Sequence, residues 1–211
     1  MLFTEIKNYF ATNSTTFYTN LGSHILLSLT AILIAIVICV PLGIWISRKV
    51  NIAPFVIDII NMIRVVPSLA ILALALPILG VGFKPAVLAL TILACPPIII
   101  NTYIAFRDIN PNIREAAYGM GMTKLQTIFK IELPLALPIV LTGIRTANVE
   151  VIASATLAVM IGGGGLGNYI ISGVGMMSQS ILLLGAVPVA ILAISSEFIL
   201  SFIQKKLVFY N

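Results

Sequence analysis

Five apolar stretches, each long enough to cross a lipid bilayer, constrain the fold of this chain more than any other feature. They cover approximately residues 24–47, 52–81, 85–106, 134–161 and 180–203. A bilayer core ~30 Å thick requires ~20 apolar residues per helix, because lipid offers no partner for an unbonded backbone group. With 60% apolar and only 9% charged residues, the chain cannot form the charged surface of a soluble protein. The sequence therefore predicts an all-α integral membrane protein with about five transmembrane helices.

The basic residues predict which way the chain crosses the membrane. Five crossings place the two chain ends on opposite sides, and Lys and Arg accumulate on the cytoplasmic side. One side collects Arg48, Lys49, Arg107, Arg114, Lys124, Lys130, Lys205 and Lys206, whereas the other has only Lys7 and Lys84. We therefore expect an extracellular N-terminal tail at residues 1–22, a membrane domain at 23–206 and a cytoplasmic tail at 207–211. This topology accounts for the net charge of +5 without a nucleic-acid partner.

Residues 107–134, called the polar loop below, are predicted to form two short helices on the cytoplasmic side. Asn110 can cap a helix with Pro111 in its first turn, Gly121 allows a sharp turn, and Thr123 can cap the second helix. The second helix has an apolar face and a polar face, and we expect Pro134 to end it. The apolar face comprises Leu125, Ile128, Phe129 and Ile131, and the polar face Lys124, Lys130 and Glu132. The pattern alone is typical of a connector on the membrane surface.

The spacing within the polar loop resembles a known motif. Glu115, Ala116 and Ala117 are followed after three residues by Gly121 and after nine more by the sequence Ile-Glu-Leu-Pro. This pattern matches position for position the EAA loop of the membrane subunits of ABC importers. The downstream sequences LPLALPIVLTGIRTA and GGGGLGNYI also resemble the permeases of osmoprotectant importers, which take up glycine betaine, choline, carnitine and related compounds.

The resemblance implies that the polar loop couples the chain to a cytoplasmic ATPase, because the EAA helix of the family docks into a groove of that subunit. The residues that match the coupling motif or lie beside it are Arg114, Glu115, Ala116, Ala117, Gly121, Ile131, Leu133 and Pro134. The two alanines allow close approach, and Arg114 and Glu115 can make charged contacts. Alternatively, Glu115 only stabilises the start of its helix, where a carboxylate contributes ~0.3 to 1 kcal/mol.

Ionisable residues within the apolar stretches are candidates for the solute pathway, because each costs ~2.5 to 3.5 kcal/mol to insert into a bilayer. The candidates are Asp58, Arg64, Arg145 and Glu150, with Asn148 as a polar neighbour. At ~1.5 Å per residue, Arg64 and Glu150 lie about 18 Å and about 24 Å from the cytoplasmic ends of their helices, so they can pair. Arg145 could meet Asp58 or the neighbourhood of Arg64. An ion pair without a part in transport is the alternative.

A glycine-rich segment follows the fourth apolar stretch. Gly162, Gly163, Gly164, Gly165 and Gly167 all lie within six residues. Glycine disfavours a stable helix and permits positive φ, so we expect no straight helix from residue 162 to residue 175. A hinge or gate near the outer face is one hypothesis, and a plain outer loop is the other.

The expected function is that of a permease subunit rather than an enzyme. The sequence lacks the phosphate-binding G-x-x-x-x-G-K-[ST] motif, so ATP and Mg²⁺ are expected on a partner ATPase, with no cofactor or metal in this chain. The resemblance implies a dimer of permeases, identical or paralogous, on two cytoplasmic ATPases in a bacterial inner membrane, supplied by an extracellular binding protein or domain. A permease for methionine or another amino acid is the nearest alternative, and an intramembrane enzyme or membrane scaffold is a more distant one.

Overall fold

The fold is entirely helical over residues 2–208, the part of the chain that the computed structural model describes; of residues 2–4, 8 and 208 it describes the backbone alone. The α-helices in this range are α1 (Leu2–Ser47), α2 (Ala53–Val65), α3 (Ser68–Leu79), α4 (Phe83–Arg107), α5 (Pro111–Gly119), α6 (Lys124–Thr127), α7 (Leu133–Ser154), α8 (Gly167–Gly175) and α9 (Gln179–Val208). A π-helical turn at Ile128–Glu132 joins α6 to α7, and a 3-10 turn at Leu157–Ile161 follows α7. The predicted all-α class is confirmed.

Four helical segments are long and apolar enough to cross a membrane. They are Tyr9–Ser47, Phe83–Arg107, Lys124–Ser154 and Gln179–Leu207. The pair α2 and α3 passes the same test together but is bent by 96°, so the described chain has up to five spans. This number agrees with the predicted five, and the bend lies within the stretch that prolines interrupt.

The bend between α2 and α3 follows from Pro67. A proline disfavours helical geometry in the residue before it, and Val66 is accordingly extended, with φ −69° and ψ 124°. Pro67 is the N-cap residue of α3. The N–H at this position makes no hydrogen bond within the helix, so proline loses nothing there. The local sequence therefore turns the chain inside the second apolar stretch.

The first helix is longer than its apolar stretch. α1 begins at Leu2, so the expected N-terminal tail is helical over residues 2–22, with a kink at Asn13. This part of α1 is held to the bundle by the Glu5 carboxylate, which accepts a 2.6 Å hydrogen bond from Ser180 Oγ, and by Asn20, which accepts one of 3.1 Å from Asn168. At the other end, α9 continues to Val208, and residues 209–211 of the expected C-terminal tail lie outside the described residues.

The core of the bundle is formed by α4 between α1 and α7. Small side chains allow these helices to approach closely, as is usual in membranes, where tight packing replaces the hydrophobic effect. Gly143 of α7 is one such contact, since a Cβ there would lie 2.6 Å from the Pro97 carbonyl oxygen. α1 and α4 end, and α7 begins, at one end of the bundle, called the basic end below, where Arg48 contacts Glu132.

The expectation that Pro134 ends its helix is wrong. The helical segment runs without interruption from Lys124 to Ser154. In the π-helical turn, the Leu133 N–H donates to the Ile128 carbonyl, five residues earlier. A π turn is wider than an α turn and leaves room for the proline ring, so Pro134 stands at the start of α7 instead of terminating α6.

Candidate functional site

The polar loop folds as two capped helices joined by a tight turn. The Asn110 side chain accepts a 3.0 Å hydrogen bond from the Asn112 N–H and so caps α5, with Pro111 in its first turn. Thr123 and Gln126 form a reciprocal capping box at the start of α6. Between them Gly121 has φ +80°, a conformation that favours glycine. Both predicted caps and the predicted turn are confirmed.

The EAA residues divide between the two sides of α5. Glu115 and Ala116 are exposed, whereas Ala117 is completely buried. Several apolar side chains of the polar loop are also exposed: Tyr118 of α5, Met120, Leu125 and Phe129. An exposed carboxylate and a small residue near exposed large apolar side chains are typical of a site for protein binding.

Arg114 and Glu132 face the interior of the bundle, which differs from their predicted positions on the outside of the polar loop. Glu132 is fully buried instead of lying on the polar face of the predicted second helix, because the π-helical turn directs it towards the bundle. Its carboxylate accepts hydrogen bonds from Arg48 and, at 2.6 Å, from Arg114 Nε. Arg114 also donates to the Phe106 carbonyl oxygen, so its guanidinium faces inward and is not presented to a partner. Among the other motif residues, Ile131, Leu133 and Pro134 are half-buried.

A groove of about 630 Å³, called the polar groove below after its charged and hydroxyl side chains, lies along α7 and includes Glu197 of α9. It is lined by Thr142, Arg145, Thr146, Val149, Glu150, Ala153 and Glu197. Arg145 pairs with Glu197, to which its Nε donates at 3.0 Å, and also donates to Gln204. The suggested approach of Arg145 to Asp58 or Arg64 is therefore replaced by contacts to α9.

Glu150 lies in the same groove with its side chain exposed. Arg64 lies close enough to interact with Glu150 electrostatically, in agreement with the predicted proximity of the two residues. They form no direct ion pair. Asp58 is exposed on α2 and takes no part in an ion pair among the side chains that the structure describes. Asn148 donates at 2.8 Å to Ser196 Oγ beside a smaller cavity of about 200 Å³.

The glycine-rich segment is irregular only at its start. Gly162, Gly164 and Gly165 have φ of +75°, +74° and +100°, so the chain turns sharply after the 3-10 turn. From Gly167 onwards it forms the short helix α8, so no straight helix runs from residue 162 to residue 175, as expected. Gly167 also allows close packing, because a Cβ there would lie 1.9 Å from the carbonyl oxygen of Thr156, just after α7.

Three residues that sequence reasoning did not select belong to these sites. Glu197 is an ionisable residue within an apolar stretch, and this is the criterion that selected Glu150, so it could have been selected in the same way. Glu132 had no such signal, because its burial depends on the π-helical turn. His24 is fully buried, contacts Gly165 at the irregular segment and bonds through Nε2 to the Ile152 carbonyl oxygen at 3.1 Å.

Comparison with known proteins identifies the family. Residues 39–209 match the family described as "Binding-protein-dependent transport system inner membrane component". The chain belongs to this family. The permease is 41% identical to the glycine betaine/carnitine/choline transport system permease protein OpuCB of Bacillus subtilis (strain 168), over 96% of this chain and 93% of that protein.

Two other curated relatives are equally similar. The choline transport system permease protein OpuBB of Bacillus subtilis (strain 168) is 42% identical, over 96% of this chain and 94% of that protein. The carnitine transport permease protein OpuCB of Listeria monocytogenes is also 42% identical, over 96% and 93%. Such coverage means that the permease matches these proteins over nearly their whole length.

Solved structures share the fold at lower sequence identity. A chain of the MetNI methionine ABC transporter, solved in an inward-facing conformation, superimposes with a TM-score of 0.81 at 21% identity, over 90% of the permease and 95% of that chain. A chain of an amino acid ABC transporter solved with histidines gives a TM-score of 0.73 at 18% identity, over 94% and 97%. These structures establish the ABC importer permease fold.

Family membership settles the class of protein and its location. The permease is a multi-pass subunit of the bacterial inner membrane and part of a binding-protein-dependent ABC importer. Its relatives are named permease proteins, so the chain is a transport subunit and not an enzyme. Its partners are an ATPase carried on a separate chain, a substrate-binding protein and the lipid bilayer.

Proposed function

We propose that this permease imports osmoprotectants of the quaternary ammonium type, such as glycine betaine, choline and carnitine. Relatives named for these three solutes are 41% and 42% identical over almost the whole chain. The permease works as a dimer, with an identical or paralogous partner, in which the two copies enclose the solute path. Two cytoplasmic ATPases bind ATP and Mg²⁺ and drive transport through the polar loop, and the permease itself needs no cofactor.

The observation that carries the coupling role is the exposed Glu115–Ala116 side of α5. Glu115 can form charged contacts with an ATPase, and the small Ala116 lets its surface come close to α5. The neighbouring Met120 and Leu125 are 72% and 67% exposed, so the same surface offers apolar area to bury. Placing the polar loop in the cytoplasm, with the N-terminus outside, brings it within reach of the ATPase.

The polar groove between α7 and α9 is the proposed wall of the solute path. Glu150 and Glu197 would be costly against lipid, so the groove faces water or the second permease. About five spans are too few to surround a solute, whereas two such grooves facing each other can enclose one. The glycine-rich turn at 162–165, next to His24, supplies the proposed hinge or gate at the outer end of the path.

ATP-dependent uptake tests this proposal. Membrane vesicles carrying the permease with its ATPase and binding protein would be supplied with labelled glycine betaine, choline or carnitine, with and without internal ATP. We expect ATP-dependent uptake that Glu115→Lys abolishes while the permease remains in the membrane. Normal uptake and normal copurification of the ATPase in this variant would refute the coupling role of α5.

Import of methionine or another amino acid is the second candidate function. The similarity to a chain of the MetNI methionine transporter favours it, but at 21% identity this similarity shows only that the two chains share a fold. Competition separates the two candidates: excess glycine betaine should reduce uptake of a labelled osmoprotectant, and excess methionine should not. The opposite result would assign the permease to amino acids.

A further inference from the structure

Glu132 joins four segments of the permease at the basic end of the bundle. Its carboxylate contacts Arg48, which directly follows α1, and Arg114 of α5. Arg114 extends the connection to α4 through its hydrogen bond to the Phe106 carbonyl oxygen. Glu132 itself ends the π-helical turn that leads into α7. This arrangement, called the Glu132 cluster below, links α5 to three membrane-spanning helices.

Burial makes the cluster stiff. Glu132 is completely buried, and an ionised carboxylate without water requires charged partners to remain stable. Two guanidinium groups, each only partly exposed, supply them, one at each carboxylate oxygen. If the carboxylate moves away from either arginine, one of its buried oxygens loses its charged hydrogen-bond partner, which is costly without water. A displacement of Arg114 therefore acts on Glu132 and Arg48 as well.

The rest of α5 has little other attachment to the bundle. Within the described residues, α6 is the only helix that packs against α5 at more than isolated points. Glu115 and Ala116 face outward, and the side chain of Ala117 is a single methyl group, which can make no hydrogen bond or ion pair. Among the side chains of α5, the guanidinium of Arg114 is thus the one with strong, directional contacts to the membrane-spanning helices.

We infer that Glu132 is a positioning residue that transmits the movement of α5 to α1, α4 and α7. The inference rests on the proposed docking of α5 to the ATPase and adds the link between that surface and the solute path. α7 carries Glu150 and one wall of the polar groove, so a force applied at α5 reaches the groove through the helix that Glu132 begins.

The test compares Glu132→Gln with the wild-type complex of permease, ATPase and binding protein in proteoliposomes. Glutamine keeps the shape of the side chain but removes the charge that both arginines require. We expect ATP hydrolysis to continue while the number of ATP molecules hydrolysed per solute imported rises roughly tenfold. Amide hydrogen exchange of residues 112–119 should also become roughly tenfold faster, because α5 is no longer tethered.

Two further variants keep the test decisive if Glu132→Gln folds poorly. Arg114→Lys retains the charge but loses the forked geometry, and we expect a smaller change of roughly threefold in both measurements. Lys130→Gln is the matched control, since Lys130 is an exposed basic residue in the same π-helical turn. It should behave as the wild type in both measurements.

The two measurements separate the possible failures. Unchanged exchange of α5 in both cluster variants would overturn the tether, and faster exchange with a wild-type ratio of ATP to solute would overturn the transmission of movement. Equal loss of uptake and ATP hydrolysis, with an unchanged ratio, would also overturn it. If the wild-type complex itself shows no ATP-dependent uptake of osmoprotectants, the proposed substrate fails, while the exchange measurement still decides whether Glu132 holds α5.

Discussion

Glu150 carries its charge on the exposed side of a membrane-spanning helix. The side chain lines the groove between α7 and α9, and Arg64 lies within electrostatic range of it. In contrast to Glu132, it forms no direct ion pair with the side chains that the structure describes. A carboxylate held in this way can contact a positively charged solute without first breaking a salt bridge.

Replacing Glu150 with glutamine should therefore lower transport without preventing assembly. A quaternary ammonium group has no N–H, so the interaction is charge attraction. At ~4 Å this attraction is worth ~1 kcal/mol in water and ~4 kcal/mol near a protein surface, so the uptake rate should fall roughly tenfold or more. Initial uptake rates would be measured beside copurification of the ATPase. Glu150→Asp keeps the charge and should restore part of the activity. Wild-type uptake in Glu150→Gln would show that this residue has no part in the path.

Gly121 offers a second prediction at the scale of one residue. Its φ of +80° favours glycine, whereas a Cβ added there would meet no heavy atom within 4 Å. Gly121→Ala should thus cost only the backbone strain of ~1 to 2 kcal/mol and lower the thermal stability of the polar loop. Gly119→Ala is the matched control, because it also has open space but no positive φ. Equal effects on thermal unfolding and uptake would mean that the turn geometry is unimportant.

At the scale of elements, the irregular segment and α8 form one packed unit beside the end of α7. Because Gly167 has no side chain, α8 packs directly against the Thr156 carbonyl group, and His24 packs against Gly165. The segment is therefore not a loose loop, since backbone atoms from several elements meet there. The proposed gate at this end would therefore have to move α8 as a body about the glycine turn at 162–165.

Gly167→Ala tests this packing. The added methyl group would lie 1.9 Å from a backbone oxygen, so α8 has to shift, and overpacking of this kind costs ~1 to 3 kcal/mol. We expect a lower unfolding temperature and reduced uptake. Gly175→Ala, at the other end of the same helix, adds a methyl group with no neighbour within 4 Å and should change neither. Equal behaviour of the two variants would contradict a role for close packing at the proposed gate.

The same elements show how far sequence reasoning reaches. The caps at Asn110 and Thr123 and the bend at Pro67 were predictable, because each depends on a few neighbouring residues. The inward position of Glu132 was not, since it follows from a π-helical turn that no single residue specifies. The contact of Arg145 with Glu197 joins residues 52 positions apart, so it depends on how α7 and α9 pack. Local signals thus predicted the elements, and packing decided the sites.

At the scale of the whole molecule, charge separates the two ends of the bundle. The basic end carries Arg48, Lys49, Arg107 and the Glu132 cluster, while the end with the glycine-rich turn has few charges. The polar groove lies between them, along α7 and α9. We expect the basic end to lie in the cytoplasm. The order along the molecule is then the proposed ATPase surface on α5, the Glu132 cluster and the polar groove, so the cluster lies between the ATPase and the proposed solute path.

Orientation is the prediction on which this arrangement depends. Single cysteines would replace Lys7 and Lys124, both exposed, after Cys39→Ala and Cys95→Ala remove the native thiols. A membrane-impermeant maleimide added to intact cells should label the cysteine at position 7 and reach position 124 only after permeabilisation, because basic loops remain in the cytoplasm. The reverse pattern would place α5 outside the cell. It would then overturn the coupling role together with the topology, since no cytoplasmic ATPase could contact Glu115.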